Sequence, residues 1–302
     1  MTRRTPEDDC GVAHAVGVLG DAWSVLVLRD VARGHRRFEQ LLESGISRKV
    51  LAQRLAGLVE ADVLRRVRYR ERPERFEYVL TARGRAALPV LAALQEWGDT
   101  WLLGDGSTSA TASAETAEAH RVAALVGRTV PALDPDPLGP AGAAYAVLYC
   151  YPGSALAGLD DVPGGAGCTL ESCTYRDRLD DFAALGARVL GVSTQRPEEQ
   201  AEFARRNRIQ FPLVSDLDLG LATALRLPTF RLHGTPRLKR ITLVVDRDRV
   251  VRGTLFPIRD VTGSVEDALT LVRAAVAADS PAPRRSGQGK VHHVQPDVPV
   301  RG

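Results

Sequence analysis

Residues 163–177 read Pro163-Gly-Gly-Ala-Gly-Cys168-Thr-Leu-Glu-Ser-Cys173-Thr-Tyr-Arg-Asp177, a glycine-rich loop that leads into a cysteine. The apolar residues that follow recur at helical spacing, so the pattern predicts that Cys168 begins an amphipathic helix. The first turn of a helix has unpaired backbone N–H groups and the positive end of the helix dipole, and both favour a thiolate. The stretch therefore predicts a reactive thiol at Cys168.

A second cysteine, Cys173, follows five residues later. On an intact helix the two Cα atoms would lie about 8.6 Å apart, from a rise of about 1.5 Å and a turn of about 100° per residue. A disulfide tolerates at most about 7 Å between Cα atoms, so the pair can bond only if the end of the helix unwinds. That requirement suits a catalytic couple better than a structural crosslink.

Two plainer interpretations compete with redox chemistry. An inert, buried thiol is common in protein cores and fits Cys150, which lies in an apolar run. A metal site would need a third and a fourth soft ligand, and none lies nearby, since His292 and His293 belong to a polar tail. We therefore expect redox chemistry at Cys168 and Cys173, with no metal and no cofactor.

The composition is typical of about two globular domains: the chain has 302 residues, of which 44% are hydrophobic and 25% charged. No apolar run approaches the length that spans a bilayer, and the charged N-terminus lacks the apolar core of a secretion signal. Four cysteines without an export signal favour a reducing compartment. We therefore expect a cytoplasmic protein with no membrane partner.

Residues 1–103 show helical periodicity, broken near Gly20, and then two alternating strands around a charged turn. Ser47 has the character of a helix N-cap, and the helix after it places Leu51, Leu55 and Leu58 on one face. The polar residues of this helix and the arginines of the hairpin fall on the solvent side: Arg48, Lys49, Gln53, Arg66, Arg68, Arg70 and Arg72. After the hairpin, Thr81 is expected to cap one long helix that runs through Trp101. This order predicts an α+β winged helix-turn-helix.

Several motifs of this domain resemble the HxlR family of bacterial regulators. They are Leu28-Arg-Asp, Phe38-Glu-Gln-Leu, Gly45-Ile-Ser-Arg-Lys-Val-Leu-Ala-Gln-Arg-Leu, Tyr78-Val-Leu-Thr-Ala-Arg-Gly and Trp97-Gly. The resemblance implies a homodimer through the terminal helices that binds double-stranded DNA. Residues 47–58 would enter the major groove, so Ser47, Arg48, Lys49 and Gln53 would contact bases or phosphates. Arg66, Arg68, Arg70 and Arg72 would contact the backbone or the minor groove. The alternative is a solvated, charged hairpin in a dimerisation module.

Cys10 lies where many members of this family have a cysteine, just before the first helix. Two interpretations stay open for it. One is a second redox sensor, and the other is an ordinary, partly buried thiol at a dimer interface.

The remaining chain divides into three parts. Residues 104–137 are predicted to be a flexible linker, because residues 104–119 contain little that could form a core; a short helix at residues 120–130 stays open. Residues 138–279 alternate apolar strands with helices and end in a hairpin and a helix, which predicts an α/β thioredoxin-like domain. Residues 280–302, rich in proline and glycine, are predicted to be disordered.

Four motifs in this second domain resemble the AhpC/TSA peroxiredoxins, and specifically their PrxQ or bacterioferritin-comigratory branch. They are Gly167-Cys-Thr-Leu-Glu-Ser-Cys-Thr-Tyr-Arg-Asp, Gly191-Val-Ser-Thr, Phe211-Pro-Leu-Val-Ser-Asp and Arg240-Ile-Thr-Leu-Val-Val-Asp. The resemblance implies that Cys168 is the peroxidatic cysteine and Cys173 the resolving cysteine. It also implies that Arg240 lies beside the thiolate, held by Glu171, and we expect its charge to lower the pKa of Cys168 below the ordinary value of about 8.5. A peroxide would be the substrate, and thioredoxin or a similar dithiol the reductant.

The sequence departs from the family pattern at two places. The short loop after Pro152 is expanded by residues 153–162, and Gly165 stands where the family has a threonine that orients peroxide. The second departure puts the speed of peroxide reduction in question.

Three hypotheses follow for the whole chain. The first is a peroxide-responsive regulator with a working thiol peroxidase attached. In the second, the peroxiredoxin domain has lost speed and acts only as a sensor or interaction module. In the third, two uncoupled functions share one polypeptide.

Overall fold

The computed structural model describes residues 10–103, 109–133, 136–139 and 142–279. The predicted tail, residues 280–302, and residues 104–108 of the predicted linker lie outside the described residues. The rest forms a helical domain with a β-hairpin and an α/β domain built on a central sheet. Both predicted fold classes are confirmed.

Within residues 10–103, the first domain contains six helices and one antiparallel hairpin. Its elements are α1 (Gly11–Leu19), α2 (Ala22–Ala32), α3 (Phe38–Leu42), α4 (Arg48–Glu60), β1 (Leu64–Arg70), β2 (Arg75–Leu80), α5 (Ala82–Ala86) and α6 (Leu88–Trp101). The break near Gly20 and the start of α4 after Ser47 lie where the sequence predicts them, and the Ser47 side chain accepts a hydrogen bond from the N–H of Val50. Leu51, Leu55 and Leu58 of α4 are buried in the core of this domain.

The single long helix predicted after Thr81 is two helices. Thr81 does cap α5, because its hydroxyl accepts a hydrogen bond from the N–H of Gly84 at 3.1 Å. Pro89 then lies in the first turn of α6. A proline has no N–H, so Pro89 cannot continue the hydrogen-bond pattern of α5, but it fits the first turn of a new helix.

The second domain is built on a five-stranded sheet of order β5-β4-β3-β8-β9. The strands are β3 (Tyr145–Cys150), β4 (Ala187–Ser193), β5 (Leu213–Ser215), β6 (Thr229–Leu232), β7 (Thr235–Leu238), β8 (Ile241–Asp246) and β9 (Val251–Leu255). The helices are α7 (Ala117–Ala123), α8 (Cys168–Asp177), α9 (Leu179–Ala184), α10 (Pro197–Asn207), α11 (Gly220–Leu225) and α12 (Gly263–Asp279). β3, β4 and β5 are parallel, and β8 runs antiparallel to β3 and β9.

One hairpin of this domain was not predicted from the sequence, whereas the buried central strand was. The hairpin β6–β7, outside the main sheet, was missed by the sequence reading. The central strand β3 is buried at every position, because α8 and α12 pack near one face of the sheet while α7 and α11 pack near the other. A strand covered on both faces reads as a continuous apolar run, which is what residues 145–150 show.

The predicted flexible linker is wrong for residues 109–133. This segment contains α7, whose N-cap Thr116 accepts a hydrogen bond from the N–H of Ala119. Ala110 is 1% exposed, and Val122 and Val130 are 1% and 0% exposed. The apolar residues of this segment are too sparse in the sequence to predict a buried element. In the folded protein they pack in the core on one face of the sheet. Burial therefore orders a segment whose composition alone favours disorder.

No single helix among the described residues is long and apolar enough to cross a membrane. By length and composition alone, one bent pair, α1 with α2, passes that test together, with 76° between the two helices.

Candidate active site and DNA-binding surface

Cys168 occupies the first position of α8, as the sequence predicts. The residue before it, Gly167, has φ +97°, a left-handed conformation that favours glycine, and this turn directs the chain into the helix. The thiol is 4% exposed, and its Sγ donates toward the carbonyl oxygen of Gly165 at 3.7 Å. The thiol is thus held under the glycine-rich loop at the start of a helix.

Arg240 lies immediately before β8, and its guanidinium is buried against the thiol. Its Nη2 is 3.1 Å from Cys168 Sγ and donates to the carbonyl oxygens of Gly165 and Ala166 at 3.0 and 2.7 Å. Its Nη1 donates to a carboxylate oxygen of Glu171, one turn into α8. The structure therefore brings three of the four residues predicted for the active site into direct contact.

Burial and charge act in opposite directions on this site. Burial raises the pKa of the Cys168 thiol, and the positive charge of Arg240 only partly offsets that effect. The sequence-based expectation that Arg240 brings the pKa of Cys168 below its ordinary value is therefore wrong in net direction, because desolvation is the larger cause. Burial also raises the pKa of Glu171 to about 7, against the lowering effect of Arg240.

The expanded loop supplies a group that the sequence reading missed. The backbone N–H of Gly153 lies near enough to the Cys168 sulfur to act to lower the pKa of the thiol, against the larger effect of burial. The loop is fixed by Gln195, a buried residue just after β4. Its Oε1 accepts from the N–H of Ser154 at 2.8 Å, and its Nε2 donates to the carbonyl oxygen of Ser154 at 3.0 Å. The signal available in the sequence is the polar Gln195 directly after an apolar strand.

The backbone around Gly165 has no room for a side chain. A Cβ built at this position would lie 2.1 Å from the carbonyl oxygen of Leu159 and 3.0 Å from that of Val162. The threonine that the family resemblance leads one to expect there cannot be accommodated unless the loop shifts. The expanded loop and the glycine are thus parts of one local structure.

Cys173, the fourth predicted residue, lies in the same intact helix as Cys168, and both thiols are free. Its Sγ is half-buried and lies 3.5 Å from Nη1 of Arg176, which also donates to the carbonyl oxygen of Asn207 at 2.5 Å. A bond between the two sulfurs requires α8 to unwind. Unwinding would newly expose Tyr175, which is 0% exposed, but not Leu170, which is already 54% exposed.

The other two cysteines differ in their surroundings. Cys10 is half-buried at the N-terminal end of α1. Cys150 is 0% exposed, and burial raises the pKa of its thiol well above the ordinary value. That environment matches the inert core thiol expected for Cys150.

The predicted DNA-binding residues share one property, which is that all of them are exposed: Ser47, Arg48, Lys49, Gln53, Arg66, Arg68, Arg70 and Arg72. Four of these side chains have no hydrogen-bond or ion-pair partner within the described part of the chain: Lys49, Gln53, Arg70 and Arg72. An external ligand can therefore bind these four side chains without breaking a contact within the protein.

Three of these arginines make internal contacts. Arg48 forms two hydrogen bonds with Glu39, at 2.7 and 3.1 Å, and both side chains are exposed. Arg68 lies 3.3 Å from Glu74 across the hairpin turn. The guanidinium of Arg66 stacks 3.9 Å from the ring centre of Phe76. Exposed pairs of this kind contribute little to stability, so DNA phosphates can compete for these cations.

Polar contacts connect the two domains. Asp99 on α6 is buried and accepts a hydrogen bond from Arg226, just after α11, at 2.6 Å. Glu118 on α7 accepts two hydrogen bonds from Lys239 Nζ, at 2.8 and 2.6 Å, and the Lys239 side chain is 0% exposed. Because Arg121 of α7 also lies 3.8 Å from Asp99, α7 contacts both the DNA-binding domain and the residue next to Arg240.

Comparisons with known proteins match the two domains to two different families. Residues 18–105 match the HxlR-like helix-turn-helix family, and residues 141–254 match the AhpC/TSA family. An uncharacterised HTH-type transcriptional regulator of Synechocystis is 45% identical over 95 residues, which cover 31% of this chain and 70% of the relative. The chain spans 58% of the length of three further mycobacterial regulators, at 42% identity.

The second domain has relatives of a different kind. A Mycobacterium tuberculosis protein described as "Putative peroxiredoxin" is 31% identical over 128 residues, which cover 42% of this chain and 77% of the relative. The crystal structure of the peroxidoxin BcpB from Mycobacterium tuberculosis is 30% identical, with a TM-score of 0.38, and the match covers 44% of this chain and 80% of that one.

Proposed function

The chain belongs to the HxlR-like helix-turn-helix family in its first domain and to the AhpC/TSA family in its second, and from this premise we propose that it is a redox-linked, DNA-binding transcriptional regulator with a thiol-dependent peroxidase domain. The observation that carries the proposal is the distance of 3.1 Å between Arg240 Nη2 and Cys168 Sγ. A buried guanidinium in contact with a thiol at a helix start is suited to stabilise negative charge on sulfur and on a departing oxygen.

In the first step the Cys168 thiolate attacks the terminal oxygen of hydrogen peroxide or an organic hydroperoxide. The S–O bond forms as the O–O bond breaks, and the departing oxygen takes a proton and leaves as water or an alcohol. Cysteine sulfur is oxidised to a sulfenic acid while the peroxide is reduced. Arg240 and the Gly153 N–H lie where they stabilise the charge in this step.

In the second step the Cys173 thiolate attacks the sulfenic acid sulfur, and hydroxide leaves as water after it takes up a proton. The product is a Cys168–Cys173 disulfide, which thioredoxin or a similar dithiol reduces by exchange. Since both cysteines lie in α8, the N-terminal turns of this helix must unwind first.

The test of this mechanism is peroxide consumption with a dithiol reductant. Cys168→Ser should abolish consumption, and Cys173→Ser should allow one turnover that ends in a sulfenic acid. Mass spectrometry of the oxidised protein should find the 168–173 bridge. A bridge from Cys168 to Cys10 or Cys150 would contradict the role of Cys173.

We further propose that α4 enters the major groove of double-stranded DNA as part of a homodimer. Support for self-association comes from apolar side chains that lie exposed on α1 and α6: Val12, Val16, Leu94, Trp97 and Trp101. Lys49→Ala or Gln53→Ala should alter sequence preference. Arg70→Ala should weaken binding to all sequences and reduce its salt dependence, because phosphate contacts act by counterion release. Equal effects of all three changes on every sequence would remove α4 from the base contacts.

One alternative has an observation in its favour. Burial raises the pKa of Cys168, and the loop excludes a side chain at position 165. Both would slow peroxide reduction, as expected of a domain that serves only as a redox sensor. The steady-state rate of peroxide turnover separates this candidate from a working peroxidase.

A further inference from the structure

A cavity of about 650 Å³ lies between the two domains, away from Cys168. One side is formed by α2 and α6 of the DNA-binding domain, and the other by α7, α11 and the start of β6. Volumes of this size are typical of sites that hold small molecules. The cavity exists only when both domains are in place, because neither contributes the whole lining.

The lining has an excess of positive charge. Within the described part of the chain, five arginines line the cavity against three acids: Arg29, Arg33, Arg121, Arg226 and Arg231 against Glu96, Asp99 and Glu118. Glu118 is neutralised by Lys239, which lies behind it. Arg226 and Arg121 lie 2.6 and 3.8 Å from the carboxylate of Asp99, and Arg231 pairs with Glu96 at 2.8 Å.

Arg33, at the C-terminal end of α2, forms none of these ion pairs. The guanidinium of Arg29 forms an ion pair with the carboxylate of the neighbouring residue, Asp30, at 2.7 Å. The guanidinium of Arg33 has no hydrogen-bond or ion-pair partner among the described residues. Burial, together with the charge of Arg29, lowers the pKa of Arg33 to about 10. Partly burying a guanidinium that has no hydrogen-bond acceptor costs free energy. An anion bound in the cavity would supply the missing acceptor.

The rest of the lining is apolar. Apart from the exposed face of α6, the apolar lining comes from Val25 and Leu26 of α2 and Leu91 of α6 in one domain, and from Leu227 and Pro228 in the other. A ligand that fits both features has an apolar body and one negative charge. A doubly charged phosphate would find only one cation without a partner.

We propose that this interdomain cavity binds a small organic monoanion, such as an alkyl or aryl carboxylate, with Arg33 as the residue that binds its carboxylate. The apolar body lies against α6 and the segment after α11. Because the ligand contacts both domains, it stabilises their docked arrangement. This inference does not depend on peroxidase activity.

The experiment uses the full-length, reduced protein, with decanoate as the probe and 1-decanol as its neutral counterpart. The chain has three tryptophans, and two of them, Trp97 and Trp101, line the cavity, so intrinsic fluorescence reports binding. Decanoate should give a saturable change with an affinity about tenfold higher than that of decanol, the size expected of one charge-assisted contact. Equal affinities would overturn the proposal.

Variants locate the contact. Arg33→Gln should remove the advantage of decanoate over decanol, and Arg33→Lys, which keeps the charge, should retain part of it. Arg273→Gln, an exposed arginine on α12, is the matched control and should bind decanoate like the wild type. If Arg33→Gln fails to fold, the salt dependence of the decanoate affinity in the wild type decides: affinity that does not fall with added salt would contradict a charged contact.

Self-association is measured in the same titration, because Trp97 and Trp101 are also exposed. Sedimentation should show no change of mass as decanoate saturates. If the fluorescence change follows a change in mass, the cavity is an interface between copies of the chain, and the proposal is wrong.

Discussion

Lys239 and Arg240 are consecutive residues, both buried, yet they reach opposite sides of the central sheet. Lys239 meets one carboxylate, Glu118, in the region between the domains. Arg240 divides its guanidinium among the carboxylate of Glu171, backbone carbonyls of the glycine-rich loop and the thiol of Cys168. The first ion pair joins two buried charges of opposite sign and includes no reacting atom. The second includes an atom whose charge changes during the proposed reaction.

This difference separates a structural contact from a chemical one, although both pairs join a buried cation to a buried glutamate. Removing one partner of the Lys239 pair leaves the other partner buried without its counter-charge, which costs stability. Removing Arg240 leaves a carboxyl and a thiol, and both can take up a proton. Changes at the first pair should therefore act mainly on stability, and changes at the second mainly on reactivity.

The largest expected effect follows from Glu118→Ala. It should lower the free energy of unfolding by about 3–5 kcal/mol, because Lys239 stays buried without a partner. Urea denaturation measures the loss. The double change Glu118→Leu with Lys239→Met should recover most of it, since apolar groups of similar volume replace the pair. A loss within about 1 kcal/mol for Glu118→Ala would place this pair among exposed, weak ion pairs instead.

Arg240→Met should slow the reaction with peroxide by about a hundredfold, the usual cost of one charge-stabilising donor. The pKa of Cys168, already raised by burial, should rise further because the opposing charge is gone. Thiolate absorbance against pH and the second-order rate constant measure the two effects. An unchanged titration together with a slower reaction would mean that Arg240 acts on the departing oxygen alone.

The third prediction concerns the pH dependence of stability. Burial raises the pKa of Glu171 to about 7 in the folded protein, so the folded state binds a proton that the unfolded state has lost above about pH 4.5. For Glu171 alone, the free energy of unfolding should be highest at and below about pH 4.5 and should fall as the pH rises toward 7. Asp216, whose pKa burial also raises to about 7, adds a fall of the same sign.

Glu171→Gln tests this expectation, because it removes the contribution of Glu171 and leaves that of Asp216. The fall in unfolding free energy between about pH 4.5 and 7 should become shallower but should not vanish. Denaturation at a series of pH values measures it. If the profile of the variant overlies that of the wild type, Arg240 keeps Glu171 ionised throughout this range.

The smallest expected effect is communication between the halves. Oxidation to the Cys168–Cys173 disulfide should change operator affinity by about fivefold, the lower end of typical coupling between sites. The route would run from α8 through Arg240 and Lys239 to α7, which also lies near Asp99 on α6. DNA titration of reduced and oxidised protein measures the change.

The controls for this prediction use the same contrast between the two ion pairs. Glu118→Leu with Lys239→Met should keep peroxide consumption and lose the fivefold difference. Cys168→Ser should bind DNA equally before and after peroxide. Equal affinities in both states of the wild type would leave two uncoupled functions in one chain. A response that survives in Cys168→Ser but not in Cys10→Ser would place the sensor at Cys10.

The sequence was a reliable guide wherever function depends on local pattern. The exposed arginines of the hairpin follow from alternation along two short strands, and the start of α4 follows from the cap at Ser47. The position of Cys168 follows from glycines that run into an amphipathic pattern. Arg240 and Glu171 were named through family motifs, and their contact with Cys168 is visible only in the folded protein.

By itself, the sequence determined the two domains, most of their elements and the residue types at the candidate sites, because caps, periodicity and turn residues act over a few positions. Only the tertiary structure decided the rest. It ordered residues 109–133 against the sheet, brought Gly153 to the thiol and paired Glu118 with Lys239. It also reversed the expected direction of the pKa of Cys168. The reason is the same in each case: burial depends on what packs from distant parts of the chain, and desolvation, unlike helix periodicity, has no local signature.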